Sequence, residues 1–155
     1  MDTAVAPAGR LAPAARTIRS LSILVLVAGA VLLVAGAATW FTVQDQLAQE
    51  KVTVAEDADR YAGELVDGPL TAYAQAATIE KHALASSDGK TYAELDREDP
   101  RRATVMNGTF LRASLFTSVV SFGVAAMAMG LGLLVALIGY VLSLVAKQLA
   151  AVSHA

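Results

Sequence analysis

Leu115–Val145 reads LFTSVVSFGVAAMAMGLGLLVALIGYVLSLV, without one charged residue. At ~1.5 Å rise per residue a helix of this length exceeds a bilayer, which ~20 apolar residues cross. Water gives no reason to keep so long a run free of charge, and lipid does. Lipid also requires each backbone N–H and C=O to be paired within the segment, so the run must be helical. The reading is a membrane helix over residues 115–146, its first turns standing outside the bilayer.

Upstream lies a second apolar run, Ser22–Phe41, SILVLVAGAVLLVAGAATWF. It is preceded by Arg10, Arg16 and Arg19 with only Asp2 to oppose them. A positive segment followed by an apolar core is also the pattern of a secretory signal. However, this core is longer than the ~7–15 residues typical of one. An uncleaved membrane helix over residues 21–43 is therefore expected, with Trp40 and Phe41 at the membrane surface. Residues 1–20, rich in Ala with Pro7 and Pro13, read as a disordered tail.

Between the two runs, residues 42–110 hold thirteen Asp or Glu against seven Lys or Arg, a net −6. The arginines before the first run and Lys147 after the second lie at the other ends. Positive residues favour the cytoplasmic side, which places both termini there and the acidic middle outside. The predicted fold class is an all-α membrane protein. It is an antiparallel pair of transmembrane helices joined by a small helical extracytoplasmic domain (residues 44–114), with residues 147–155 as a cytoplasmic tail.

Within that middle domain, Gln44–Glu50 continues the first helix and Lys51–Ala55 (KVTVA) is extended. Asp67-Gly68-Pro69 marks a helix start, cap then proline, for a helix over Leu70–Ser86 that stops at Ser87-Asp88-Gly89. Lys90–Leu95 forms a turn or two. Asp99-Pro100 starts a helix that continues unbroken into the membrane, with Phe110, Leu111 and Leu115 packing on the outer domain.

Composition excludes several functions. The chain has no cysteine, so disulfides, thiolate metal sites and cysteine nucleophiles are absent. A net charge of −2 offers no basic field for nucleic acid. Neither apolar run carries an ionisable residue in its interior, which argues against a pump or transporter built from these two helices.

Small residues recur at intervals of seven: Gly29 and Gly36 in the first run, then Gly123 with Gly130 and Gly132 with Gly139 in the second. Seven residues make two helical turns, so each pair lies near one stripe. Ala128, Gly132 and Ala136 add a row of small residues four apart, which lets another backbone approach closely. The second helix thus carries two packing faces, one for the first helix and one for another chain. In the outer helix, Leu70, Tyr73, Ala74, Ala77 and Leu84 gather on one side and are expected against Pro100–Leu115. Ala72, Ala76, Ile79 and Ala83 gather on the other and are expected to meet a partner.

Gly68–Ala76 (GPLTAYAQA), Gly89–Leu95 (GKTYAEL) and Val105–Gly123 (VMNGTFLRASLFTSVVSFG), with the arginine-led first helix, resemble small two-helix membrane proteins of actinobacteria labelled aromatic ring-opening dioxygenase, LigA type. The resemblance implies the two-span architecture and the cytoplasmic membrane of a bacterium. Ring opening at non-haem iron requires two histidines and a carboxylate at one metal. The two histidines here, His82 and His154, fall on opposite sides of the expected bilayer, so one iron cannot take both.

Three other patterns fall short of a site. The acidic groups Glu56-Asp57-Ala58-Asp59 and Glu94, Asp96, Glu98 and Asp99 lack calcium-loop spacing. Ser86, Ser87, His82 and Asp88 supply the residue types of a hydrolytic triad, but as neighbours on a helix end. Gly89-Lys90-Thr91 lacks the upstream glycine of a phosphate loop. The expectation is therefore no cofactor, no metal and no catalytic residue. The partners expected are the lipid bilayer and either other membrane subunits or further copies of the chain. A non-enzymatic accessory subunit of a larger envelope or respiratory membrane complex is the leading reading, and a membrane-tethered enzyme or ligand sensor is the alternative.

Overall fold

The structure, a computed structural model, describes residues 11–152. The expectations for residues 1–10 and for His154 lie outside them. Three helices follow one another: α1 (Leu11–Gln49), α2 (Pro69–Ala85) and α3 (Arg102–Val152). α1 and α3 are each long and apolar enough to cross a bilayer. Among the described residues there is no strand, only one antiparallel β-bridge between Thr53 and Leu65.

α1 starts at Leu11, ten residues earlier than the boundary at Ser20 implies. Pro13 does not prevent this, because in the first helical turn its missing N–H has no partner to lose and its φ already suits the helix. Ala14, Ala15 and Arg16 then favour helix, and the Thr17 hydroxyl donates back to the Pro13 carbonyl at 3.1 Å. At the other end α1 tightens into its last turn, with Glu50 N–H donating to Leu47 O at 3.2 Å and Lys51 N–H to Ala48 O at 3.1 Å.

The chain separates into two compact units. One combines the chain up to Ala37 with the chain from Ala126 onward; the other is Ala38–Ala125. α1 and α3 each contribute to both.

In the first unit the contact is made by small residues. Ala15, Ser22, Gly29 and Gly36 on α1 are buried, as are Gly132, Gly139 and Ala146 on α3. Both rows step by seven, which keeps each on one stripe over two turns. A Cβ placed on Gly29 would lie 2.6 Å from Ala136 N, and one on Gly139 would lie 2.8 Å from Leu26 N. Backbones this close leave no room for any side chain, which is why glycine occupies these positions.

In the second unit, Val54 and Val66 (each 1% exposed) and Ala72 (0%) form the core, joined by Leu47, Tyr61, Leu115 and Val119. The extended piece expected at Lys51–Ala55 finds its partner twelve residues on, where Thr53 pairs with Leu65. Val54 N–H donates to Glu64 O and Val66 N–H to Val52 O, both at 2.8 Å. Trp40 and Phe122 meet edge to face with ring centroids 4.8 Å apart.

α2 begins as Pro69 predicts, but its cap is not the Asp67 side chain. The Thr71 hydroxyl accepts the backbone N–H of Gly68 at 3.1 Å and of Asp67 at 3.3 Å. This is the reciprocal half of a capping box. α2 closes where Gly89 N–H reaches back to Leu84 O at 2.8 Å, with Asp88 and Gly89 both at positive φ. The Asp99 carboxylate accepts Arg101 N–H at 2.9 Å ahead of α3, as the Asp-Pro pattern anticipates.

Candidate functional site

Several polar side chains of the second unit hold it together. Arg101 bridges two turns, with Nη1 2.7 Å from the Asp88 carboxylate and Nη2 2.9 Å from that of Asp99. Its side chain and backbone N–H hold the Asp99 carboxyl at about 2, below the usual carboxylate range. Arg102 reaches the Leu95 carbonyl at 2.6 Å and lies 3.9 Å above the Tyr92 ring, which folds residues 92–95 onto the start of α3. Glu94 accepts both the N–H and the hydroxyl of Thr91 at 2.8 Å, and these bonds lower its pKa. Arg112 on α3 pairs with Glu80 on α2 at 2.9 Å.

The hydrolytic residue types do not assemble. Ser87 is fully buried, and its hydroxyl donates to backbone carbonyls, among them Ala83 O at 3.0 Å and Leu84 O at 3.2 Å. Ser86 donates to Ala83 O at 2.7 Å. His82 faces elsewhere, with Nε2 2.8 Å from an Asp57 carboxylate oxygen that Lys81 approaches at 3.3 Å. The His82 bond, then the one from Lys81, lowers the Asp57 pKa. Among the described residues no three His, Asp or Glu converge on a metal position.

The orientation of α2 departs in part from that expected. Ala72 and Ala76 are 0% exposed, and the Ala83 Cβ and Ile79 Cγ2 stand 3.1 and 3.8 Å from where a Cβ on Gly108 would be. The face of Ala72, Ala76, Ile79 and Ala83 is thus turned into this chain, Ala72 against Val54 and Val66 and Ile79 and Ala83 against Gly108 of α3. The physical reason is Gly108, whose bare backbone admits only a flat, alanine-rich surface at short distance. On the opposite face Leu70 (63%) and Tyr73 (55%) are exposed, although Ala74 packs against the core and Tyr73 touches Phe116 of α3. Phe110 and Leu111, expected to pack on the outer unit, are likewise exposed, whereas Leu115 does pack there.

That outward face forms the floor of an open groove of about 580 Å³. Tyr61, Leu70, Tyr73 and Ala77 supply its apolar surface, and Asp57, Asp59, Arg60 and Lys81 its charged margin. Tyr61 has φ +61°, an uncommon conformation for a bulky side chain. Tyr73 is steadied by an edge-to-face contact with Phe116, centroids 5.7 Å apart. The groove was not legible beforehand, because its charged margin comes from a loop with no periodic pattern.

No family model, no curated protein and no solved structure matches this chain.

The small-residue stripes divide in two. Gly29, Gly36, Gly132 and Gly139 are buried, with Ala136 half-buried against Gly29. Gly123 and Gly130 are exposed, and a Cβ on either would meet nothing within 4 Å. Ala128 is half-buried.

Proposed function

We propose that this chain is a non-enzymatic two-span membrane protein, an accessory or interaction component of a larger envelope or respiratory assembly. Its antiparallel helix pair would cross the cytoplasmic membrane with both termini inside, presenting the acidic unit outside. The supporting observation is how little apolar surface the fold covers. Only 17% and 11% of the most apolar windows of α1 and α3 are buried, far less than for core helices of a water-soluble domain. Lipid is the surrounding that such surface requires, and Leu70 and Tyr73 extend the same exposure onto α2.

A photo-crosslinking amino acid at Tyr73 tests the interaction. Discrete adducts are expected in intact cells, with none from the same residue at Lys90. Absence of adducts at Tyr73, or an equal yield at Lys90, contradicts the accessory role.

A second reading, a ligand-binding outer domain, is favoured by the groove beneath Tyr61 and Tyr73. It predicts that a small amphipathic ligand raises the melting temperature of the native chain but not of Tyr73→Ala.

A further inference from the structure

The ends of α1 and α3 in the first unit enclose a cleft of about 510 Å³ that the outer unit's chemistry leaves unexplained. Arg16, Arg19 and Lys147 line it, and among the described residues no carboxylate does. Among the described residues none of these three cations makes an ion pair, whereas Lys81, Arg101 and Arg112 all do. The hydroxyls along its wall are already used. Ser22 donates to Arg19 O at 2.8 Å and Ser143 to Tyr140 O at 2.7 Å. The apolar part of the wall is formed by Ile23, Leu26 and Ala150, with Ile23 54% exposed.

We propose that this cleft binds the headgroup of an anionic phospholipid, its phosphate held by Arg16, Arg19 and Lys147 and its glycerol and first methylenes lying on Ile23 and Leu26. Two observations require both parts of that ligand. Three cations that line one cavity and pair with no carboxylate among the described residues attract a phosphate, and guanidinium groups bind its oxygens in a matched fork. A free phosphate would satisfy the charges and leave the apolar wall in water, while a lipid covers both. Long basic side chains at a helix end also reach along apolar surface to place their charge at the membrane interface. The proposal rests on the two-span membrane reading above.

The test uses the full-length chain in mild detergent, titrated with phosphatidylglycerol or phosphatidylcholine and read by native mass spectrometry. One phosphatidylglycerol should bind with roughly a tenfold or greater preference. The combined Arg16→Gln, Arg19→Gln and Lys147→Gln variant should lose that preference, while Lys90→Gln with Arg97→Gln, in the outer unit, should keep it. Equal binding of the two lipids, or a preference retained by the triple variant, overturns the site. Displacement by millimolar inorganic phosphate would make it a phosphate site and overturn the lipid assignment. Circular dichroism of the triple variant should show unchanged helix, and the three Arg/Lys-conserving changes (Arg16→Lys, Arg19→Lys, Lys147→Arg) should retain the preference. Failure of the membrane reading is a separate observation, release of the native chain from membranes by alkaline carbonate.

Discussion

Gly29 and Gly132 face one another so closely that a Cβ built on either would meet the other's carbonyl oxygen, at 2.7 Å from Gly29 and 2.8 Å from Gly132. Neither obstacle is a flexible side-chain end. Both are backbone, so a substitution must move a whole helix. Gly29→Leu and Gly132→Leu are each expected to destabilise the pair, by about 1–3 kcal/mol as overpacking typically does. Gly123→Leu and Gly130→Leu, at open positions, should leave it unchanged. Unfolding midpoints in detergent with rising dodecyl sulfate check this, and equal loss at all four positions would contradict the contact.

The turned-in face of α2 makes a second prediction. Ala76→Asp forces a carboxylate into a fully buried site and should cost on the order of 3 kcal/mol. Ile79→Asp, against Gly108, should open the unit as well. Leu70→Asp stands in the open and should stay within about 0.5 kcal/mol of the native chain. Pulse proteolysis with trypsin reads the difference, because cleavage at Lys81 within α2 requires that helix to open. Rapid cleavage of Leu70→Asp with slow cleavage of Ala76→Asp would restore the opposite orientation.

Acid should weaken the outer unit through Asp99. Its carboxyl titrates at about 2 in the folded chain against an ordinary 3.8, because Arg101 holds the charged form. A depressed carboxyl stabilises the fold above its unfolded value, and that contribution is lost as pH falls through the folded value. The urea midpoint should therefore drop between pH 3.8 and pH 2, and Asp99→Asn should flatten that drop while lowering the midpoint at pH 7. An unchanged acid slope in Asp99→Asn would show that the Asp99–Arg101 pair does not form.

What the sequence alone revealed follows from how local each signal is. The apolar runs, Pro69 at the start of α2 and Asp99-Pro100 ahead of α3 are local, and each appears where its chemistry predicts. The seven-residue glycine spacing marked two stripes on α3 but could not say which one meets α1, since both carry the same spacing; the close approach is at Gly132 and Gly139. Lys51–Ala55 signalled an extended piece, but its pairing with Leu65 depends on the loop between them, which carries no pattern. The rotation of α2 was misread because Leu70 and Tyr73 are its larger apolar residues, while the short approach at Gly108 selects the smaller alanines. The cationic cleft depends on α1 starting at Leu11, which the proline at position 13 concealed.

The most direct test of the two-span arrangement uses the absence of native cysteine. Ser20→Cys, Ser86→Cys and Ala151→Cys place single thiols at exposed positions, whereas Ser87 is buried and unsuitable. An impermeant thiol reagent applied to intact cells should label Ser86→Cys alone, with Ser20→Cys and Ala151→Cys labelled only after the membrane is opened. Labelling of Ser20→Cys or Ala151→Cys in intact cells, or protection of Ser86→Cys, would contradict it.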